Sequence, residues 1–259
     1  MKIWIYSLIS LFWVSIVHAA DPINLVSAHP EQLEKIEGNE LVWKDGTRMV
    51  ISDGSKKETF DEMLNQPSLE YQLSQTYPVG AELEPVPAKD SDPGRIRYEP
   101  FFRKMYGDTA SDVEKNLRTI QWMPNTYPQK LRVTTVNGVD KRLERISEKL
   151  EALSDELKIF GAKLGGGFYW RKISGTSRLS AHSFGIAIDL NTDKSDYWRW
   201  VRRKVGEVAE YHNQVPLEIV KLFEEEGFIW GGRWYHFDTM HFEYRPELIK
   251  KSDPGSATE

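Results

Sequence analysis

The 259-residue sequence contains no cysteine. Disulfides are therefore excluded, and so is a lipid anchor on an N-terminal cysteine. Any metal site must be built from His, Asp and Glu. Basic runs are scarce as well. None exceeds short pieces such as Arg202-Arg203-Lys204, and the net charge is -5. That argues against nucleic acid as the main partner and leaves the triplet as a solvated helix face. Beyond residue 20 there is no long apolar run, so no membrane span is expected once a leader is removed. Repeats and low-complexity tracts are missing too. What remains is an ordinary globular balance, 40% hydrophobic and 28% charged. The length suits one domain, or one domain with an appendage.

The first twenty residues differ from the rest. Lys2 gives a short positive start, and Ile3 to Val17 is apolar apart from Ser7, Ser10 and Ser15. Val17-His18-Ala19 then places small or apolar residues where a signal peptidase reads. The stretch 1–20 is read as a secretory signal peptide, cleaved after Ala19 or Ala20. The run is shorter than the ~20 residues of a membrane span. A periplasmic or secreted protein is expected.

Residues 21–94 read as an N-terminal accessory region and linker. Glu40 to Ile51 is two strands around an Asp45-Gly46 hairpin turn. Phe60 to Leu73 is weakly helical. Residues 81–94, rich in Pro and Asp, form a connector or a long loop. Ser111-Asp-Val-Glu114 resembles a capping box ahead of helical positions Val113, Leu117 and Ile120. Leu131 to Val136 is a strand closed by Asn137-Gly138. Val139, Leu143, Ile146, Leu150, Leu153 and Leu157 then recur at steps of three and four, an amphipathic helix whose stripe is core. Gly165 to Arg171 enters a strand, and Gly185 to Leu190 is another. Tyr197 to Val208 is expected to be a helix with Trp200, Val201, Val205 and Val208 inward. Pro216 to Glu226 is a further helix, with Pro at its start and Gly227 past its end. Met240 to Arg245 is a final strand, and the tail 251–259 is expected to be disordered. Strands and helices without βαβ alternation point to an α+β fold.

The chemistry concentrates in two pieces. In Ser180-Ala-His-Ser-Phe-Gly-Ile-Ala-Ile-Asp-Leu190, alternation puts Ile186, Ile188 and Leu190 on a core face and Gly185, Ala187 and Asp189 on the other. The second face carries only tiny side chains before a carboxylate, which leaves room above the sheet. His182 sits in the turn ahead of the strand and can fold over that face. In Asp238-Thr-Met-His-Phe-Glu-Tyr-Arg245, Met240, Phe242 and Tyr244 face the core, so His241 faces the polar side with Glu243. Taken alone, either His–Asp association is an ordinary surface pair. Together, His182, Asp189 and His241 make three ligands for a borderline cation such as Zn2+, with a fourth position open to water. Asp238, three residues before His241, is placed to act as a general base.

The pattern Ser180-x-His182-x-x-Gly185-x-Ala187-x-Asp189, followed by Asp238-x-x-His241, resembles the D-alanyl-D-alanine carboxypeptidase and D,D-dipeptidase family of zinc peptidases. That family includes the vancomycin-resistance D,D-peptidases and the phage L-alanyl-D-glutamate endolysins. The resemblance spans roughly residues 128–248 and leaves 21–100 uncovered. It implies a zinc peptidase domain over 95–250, with the α+β fold shared with the Hedgehog signalling domain. It also implies zinc on His182, Asp189 and His241, with Asp238 as the base. Peptidoglycan stem peptides are the implied partners, with D-Ala-D-Ala or a neighbouring bond as target. The shared fold also admits a non-catalytic zinc-binding module.

The family carries an Arg on a strand ahead of the first motif. Arg171, after Gly167-Phe-Tyr-Trp, is the nearest match; Arg178 is its rival because only ten residues separate Arg171 from His182. Either guanidinium can steady an oxyanion or hold a substrate carboxylate. Trp230, Trp234, Tyr235 and Phe237 around Gly231-Gly232 suit an active-site rim or ordinary core. His236 is read as a residue that supports a metal ligand or as a strand-edge residue, and His212 as a helix-end residue. His29 has no context.

Overall fold

The computed structural model describes residues 21–82, 87–201 and 210–249. The expected leader, 1–20, and the expected tail, 251–259, lie outside them. Among the described residues, no helix is long and apolar enough to cross a membrane.

Helix α1 (Ile23–Ala28) precedes a sheet of β1 (Leu33–Glu37), β2 (Glu40–Trp43) and β3 (Arg48–Val50), paired antiparallel in sequence order. The β2–β3 turn forms where Asp45-Gly46 predicts it. Asp45 Oδ1 accepts from Thr47 N at 3.0 Å, and Gly46 takes a left-handed φ of 81°. Over 60–73 the expected helix is split into α2 (Phe60–Asn65) and α3 (Leu69–Gln72). Pro67 has no N–H to carry one helix through. Thr59 and Ser68 cap the two separate starts.

After α4 (Glu99–Tyr106), the structure departs from the sequence reading. Helix α5 (Ala110–Glu114) is capped by Thr109, not Ser111, and stops at once. Leu117 and Ile120, expected on that helix, lie instead on β4 (Leu117–Trp122), which pairs along its whole length with β5 (Gln129–Thr134). Cross-strand pairing overrides the local periodicity, and Ile120 and Trp122 are buried at a strand's period of two. Helix α6 (Val139–Glu151) buries Val139, Leu143, Ile146 and Leu150, as the stripe predicts. It ends earlier than expected, and Leu157 falls on the separate α7 (Asp155–Lys158).

The third sheet positions the site. Strands β6 (Leu164–Gly166), β7 (Ala187–Asn191), β8 (Phe228–Trp230) and β9 (His241–Tyr244) run antiparallel in the order β6-β7-β9-β8. Helix α8 (Leu217–Glu225) packs against β8, bracketed by Pro216 and by Gly227 at φ 89°. Strand β6 is shorter than expected, so Arg171 lies off the sheet in irregular chain.

The helix expected over 197–208 is not formed in its described part. Tyr197 bridges Asp238, and residues 198–200 make a turn that leaves Trp200 59% exposed rather than inward. Trp198 N donates to Phe237 O and Thr239 N to Asp196 O, both at 2.9 Å, which ties the segment down as a ribbon. Residues 202–209 lie outside the described chain. His212 sits in irregular chain ahead of α8 rather than at a helix end.

The core is continuous. Leu25, Leu41 and Trp43 join Phe101, Phe102, Phe184, Ile188 and Phe242 in one buried cluster. Mixed helices and antiparallel sheets make the fold α+β.

Candidate metal centre

Register does the first part of the work. Asp189 on β7 pairs directly with His241 on β9, so both side chains leave the sheet on one face. His182 comes from a 3-10 turn, Ala181–Phe184, that ends on Gly185 at φ 68°. A Cβ on Gly185 would stand 2.9 Å from both Leu117 Cδ2 and Thr134 N, so the turn fits only with glycine there. Tyr169 N donates to His182 O at 3.2 Å, and Ser180 Oγ accepts from His182 N at 3.4 Å. His182 is thereby folded back over β7.

The three side chains offer one ligand atom each, all within 4.8 Å of one another. Their hydrogen bonds set the ring states. His182 Nδ1 donates to Gly167 O at 2.7 Å, which leaves the lone pair on Nε2. That Nε2 is buried without a hydrogen-bond partner. It stands 3.2 Å from Asp189 Oδ2 but out of line for a hydrogen bond. His241 Nε2 meets Glu243 Oε2 at 3.0 Å, and its Nδ1 lies 3.0 Å from Asp189 Oδ1. A carboxylate behind one imidazole and a carbonyl behind the other is the usual support for a metal-binding histidine pair.

Charge follows the geometry. Burial alone would raise the Asp189 pKa, yet His182 and His241 hold the carboxyl well below its usual range. Burial alone would lower that of His241, but its hydrogen bonds to Asp189 and Glu243 raise it to about 9. Two imidazoles and a carboxylate converging on one point, with an unanswered nitrogen lone pair, fit Zn2+ in donor type and number.

Asp238 sits beside this cluster, lining the same cleft of about 290 Å³. Its backbone is fixed by Gly231 O, which accepts from Asp238 N at 3.0 Å, and by His241 N, which donates to Asp238 O at 3.2 Å. Its Oδ1 is buried with no hydrogen-bond partner. Burial, followed by Asp189, pushes its pKa up to about 6 against the pull of His241.

Arg171 lines the cleft as well, although off-strand. Its backbone is clasped by Ser183, whose Oγ accepts from Arg171 N at 3.0 Å and donates to Arg171 O at 2.9 Å. Arg178 does not line this cleft. Trp234 forms part of the wall, 5.6 Å from the His241 ring, whereas Trp230 and Phe237 are core. His236 stands apart from the cluster, with its Nδ1 2.7 Å from the buried Asp92 and its ring against Trp198.

Two wall residues had no motif to announce them. Arg95 lies over the Trp234 ring at 4.4 Å, and Arg97 is paired with Glu243. Both come from the segment just after the Pro- and Asp-rich connector. In the sequence they are merely two nearby basic residues.

A mixed α and β fold carrying a His–Asp–His cluster, with an unpartnered carboxylate in the same cleft, has the layout of a metal-dependent hydrolase. Residues 174–244 match the family described as D-alanyl-D-alanine carboxypeptidase. This is the zinc peptidase family that the two motifs resemble, and the matched segment contains both of them. No curated protein and no solved structure matches the chain.

Proposed function

We propose that the protein is a zinc-dependent peptidase of peptidoglycan stem peptides, of the D-alanyl-D-alanine carboxypeptidase type or a related endopeptidase. The observation that carries this reading is the convergence of His182, Asp189, His241 and the unpartnered Asp238 carboxylate in one cleft, inside the matched segment. His182 through Nε2, Asp189 through a carboxylate oxygen and His241 through Nδ1 would hold the ion. When bound, Zn2+ supplies Lewis acidity, which lowers the pKa of water and polarises a scissile carbonyl. Asp238, whose carboxyl stands in the cleft with its Oδ1 free of hydrogen bonds, would take the proton of the attacking water. It then returns that proton to the departing amine. The Arg171 guanidinium offers N–H donors to the developing oxyanion or to a substrate carboxylate. Removal of the leader after Ala19 or Ala20 would deliver the enzyme to the envelope, where peptidoglycan is met.

The test is incubation of the zinc-loaded protein with purified peptidoglycan, followed by mass spectrometry of the fragments. Zinc-dependent loss of D-Ala supports the carboxypeptidase type, and internal cuts support an endopeptidase. Stoichiometric zinc with no fragment released would leave the non-catalytic zinc-binding module instead.

A further inference from the structure

Beside the metal cleft lies a second pocket of about 310 Å³. One wall comes from residues 64–67, at the end of α2, and the other from residues 177–184, which lead to His182. Arg95 and Arg97 line both cavities, so the two lie side by side. Leu64, Pro67, Phe102, Leu179 and Phe184 give it apolar wall, and polar and charged side chains, Arg95, Arg97 and Glu99 among them, make up about half of the lining. Into this mixed setting the fold places Arg178, which also borders the larger polar pocket that holds Asp61. The Arg178 Nε is buried without a hydrogen-bond partner, and among the described residues the guanidinium makes no ion pair.

The neighbouring charges are already matched. Arg97 is held by Glu243 and Arg95 by Asp92. Glu99 pairs with Arg103 and accepts from Leu179 N at 3.2 Å. Asp61 acts on Arg178 only through space. A half-buried cation without a direct counter-ion is costly. The cost shows in the guanidinium itself: burial, then Arg97 and Arg95, push its pKa down to about 10. An arriving carboxylate would find an uncommitted guanidinium with N–H donors in fork geometry and apolar carbon nearby for its stem.

We propose that this pocket is an acid-recognising subsite of the metal cleft, in which Arg178 binds a side-chain carboxylate of the peptide and residues 64–67 pack on its aliphatic stem. Arg178 is four residues before His182, so their Cα atoms are at most about 14 Å apart. An extended peptide advances about 3.4 Å per residue, which places the acid within about four residues of the scissile amide. The N-terminal region thus supplies part of the specificity, and the substrate class narrows to acidic peptides. This rests on the peptidase reading.

The experiment uses the full zinc-loaded chain and synthetic peptides ending in D-Ala-D-Ala. Each carries either Glu or Gln two, three or four residues from the final amide. Wild type is expected to prefer one Glu peptide over its Gln partner by about tenfold in KM. Arg178→Met should raise KM for the preferred Glu peptide about tenfold and so abolish that preference, and Arg178→Lys should restore part of it. Anisotropy of the same fluorescein-labelled peptides reads binding without turnover. If no peptide is cut but the Glu preference in binding is present and lost in Arg178→Met, the hydrolytic reading fails and the subsite stands. If no Glu peptide is preferred in either readout, or Arg178→Met weakens both peptides of a pair equally, the subsite is overturned.

Discussion

The Arg97 guanidinium clasps the Glu243 carboxylate across 146 residues of sequence, and both side chains are largely buried. Glu243 Oε2 also accepts from His241 Nε2, and Oε1 accepts from Arg245 at 3.0 Å. Burial alone would protonate such a carboxyl, but Arg97, His241 and Arg245 keep it well below its usual range. The result is a fixed anion behind the imidazole, which turns Nδ1 toward Asp189.

This relationship makes Glu243 and Arg97 positioning residues for His241. Glu243→Gln and Arg97→Met should each weaken zinc affinity by about 10–100-fold, as lost outer-shell partners do. Competition with a chromogenic chelator measures it, and circular dichroism checks the fold. Unchanged affinity in both variants would show that His241 orients itself.

Removal of a ligand should act more severely. His182→Ala, Asp189→Ala and His241→Ala each delete one of three protein donors, so bound zinc should fall sharply in elemental analysis. Zinc-induced thermal stabilisation should vanish with it, because the metal stabilises only the state it binds. Stoichiometric zinc on the His241→Ala protein would refute the assignment.

Asp238→Asn separates chemistry from binding. Zinc content should stay near wild type while turnover drops by about 10²–10⁴-fold. Glu243→Gln, assayed at saturating zinc, is the paired control and should keep most of its turnover. Near-normal hydrolysis by Asp238→Asn would remove it from the mechanism.

Acidity and metal compete at His241. Its pKa is raised to about 9, so the fold binds the proton more tightly than the unfolded chain does. That contribution to stability is complete below about 6.5 and fades as pH rises through about 9. A cation at Nδ1 must displace the same proton. Apparent zinc affinity should therefore climb by about tenfold per pH unit toward pH 9 and then level off. A flat profile between pH 6 and 8 in calorimetry would contradict this.

Glu247 behaves in the opposite sense. Burial would raise its pKa, but Arg245 and His29 hold it down to about 2. Its stabilisation is present above the unfolded value of about 4.3 and is lost as pH falls from there toward 2. Glu247→Ala leaves Arg245 short of a buried partner and should cost about 3–5 kcal/mol at neutral pH. Urea unfolding would show it, and the gap from wild type should narrow in acid.

The cluster was legible because strand alternation is strict. Tiny residues at 185 and 187 ahead of Asp189, and core residues flanking His241, fix the faces without knowledge of the partner strand. The hairpin at Asp45-Gly46 and the stripe of α6 were legible for the same local reason. Long-range pairing was not. Leu117 and Ile120 fit a helical spacing, and only β5 makes them a strand. Trp200 looks like core until Phe237 and Thr239 pull its neighbours into a ribbon. Nothing near Arg95, Arg97 or Asp92 in sequence hints that the fold brings them to residues 234–243, so the cleft's cationic wall was invisible.

Strand β9 is the last strand in sequence, yet it lies between β7 and β8. Just beyond it, residues 246–248 form the seat on which α1 packs. The sheet therefore keeps an open slot between β7 and β8 until β9 inserts. Until residues 241–248 join it, the fold lacks one of the three candidate ligands and part of the surface on which α1 packs, the rest being β1. Completion of the candidate metal cluster is consequently coupled to the same insertion that ties α1 to residues 246–248.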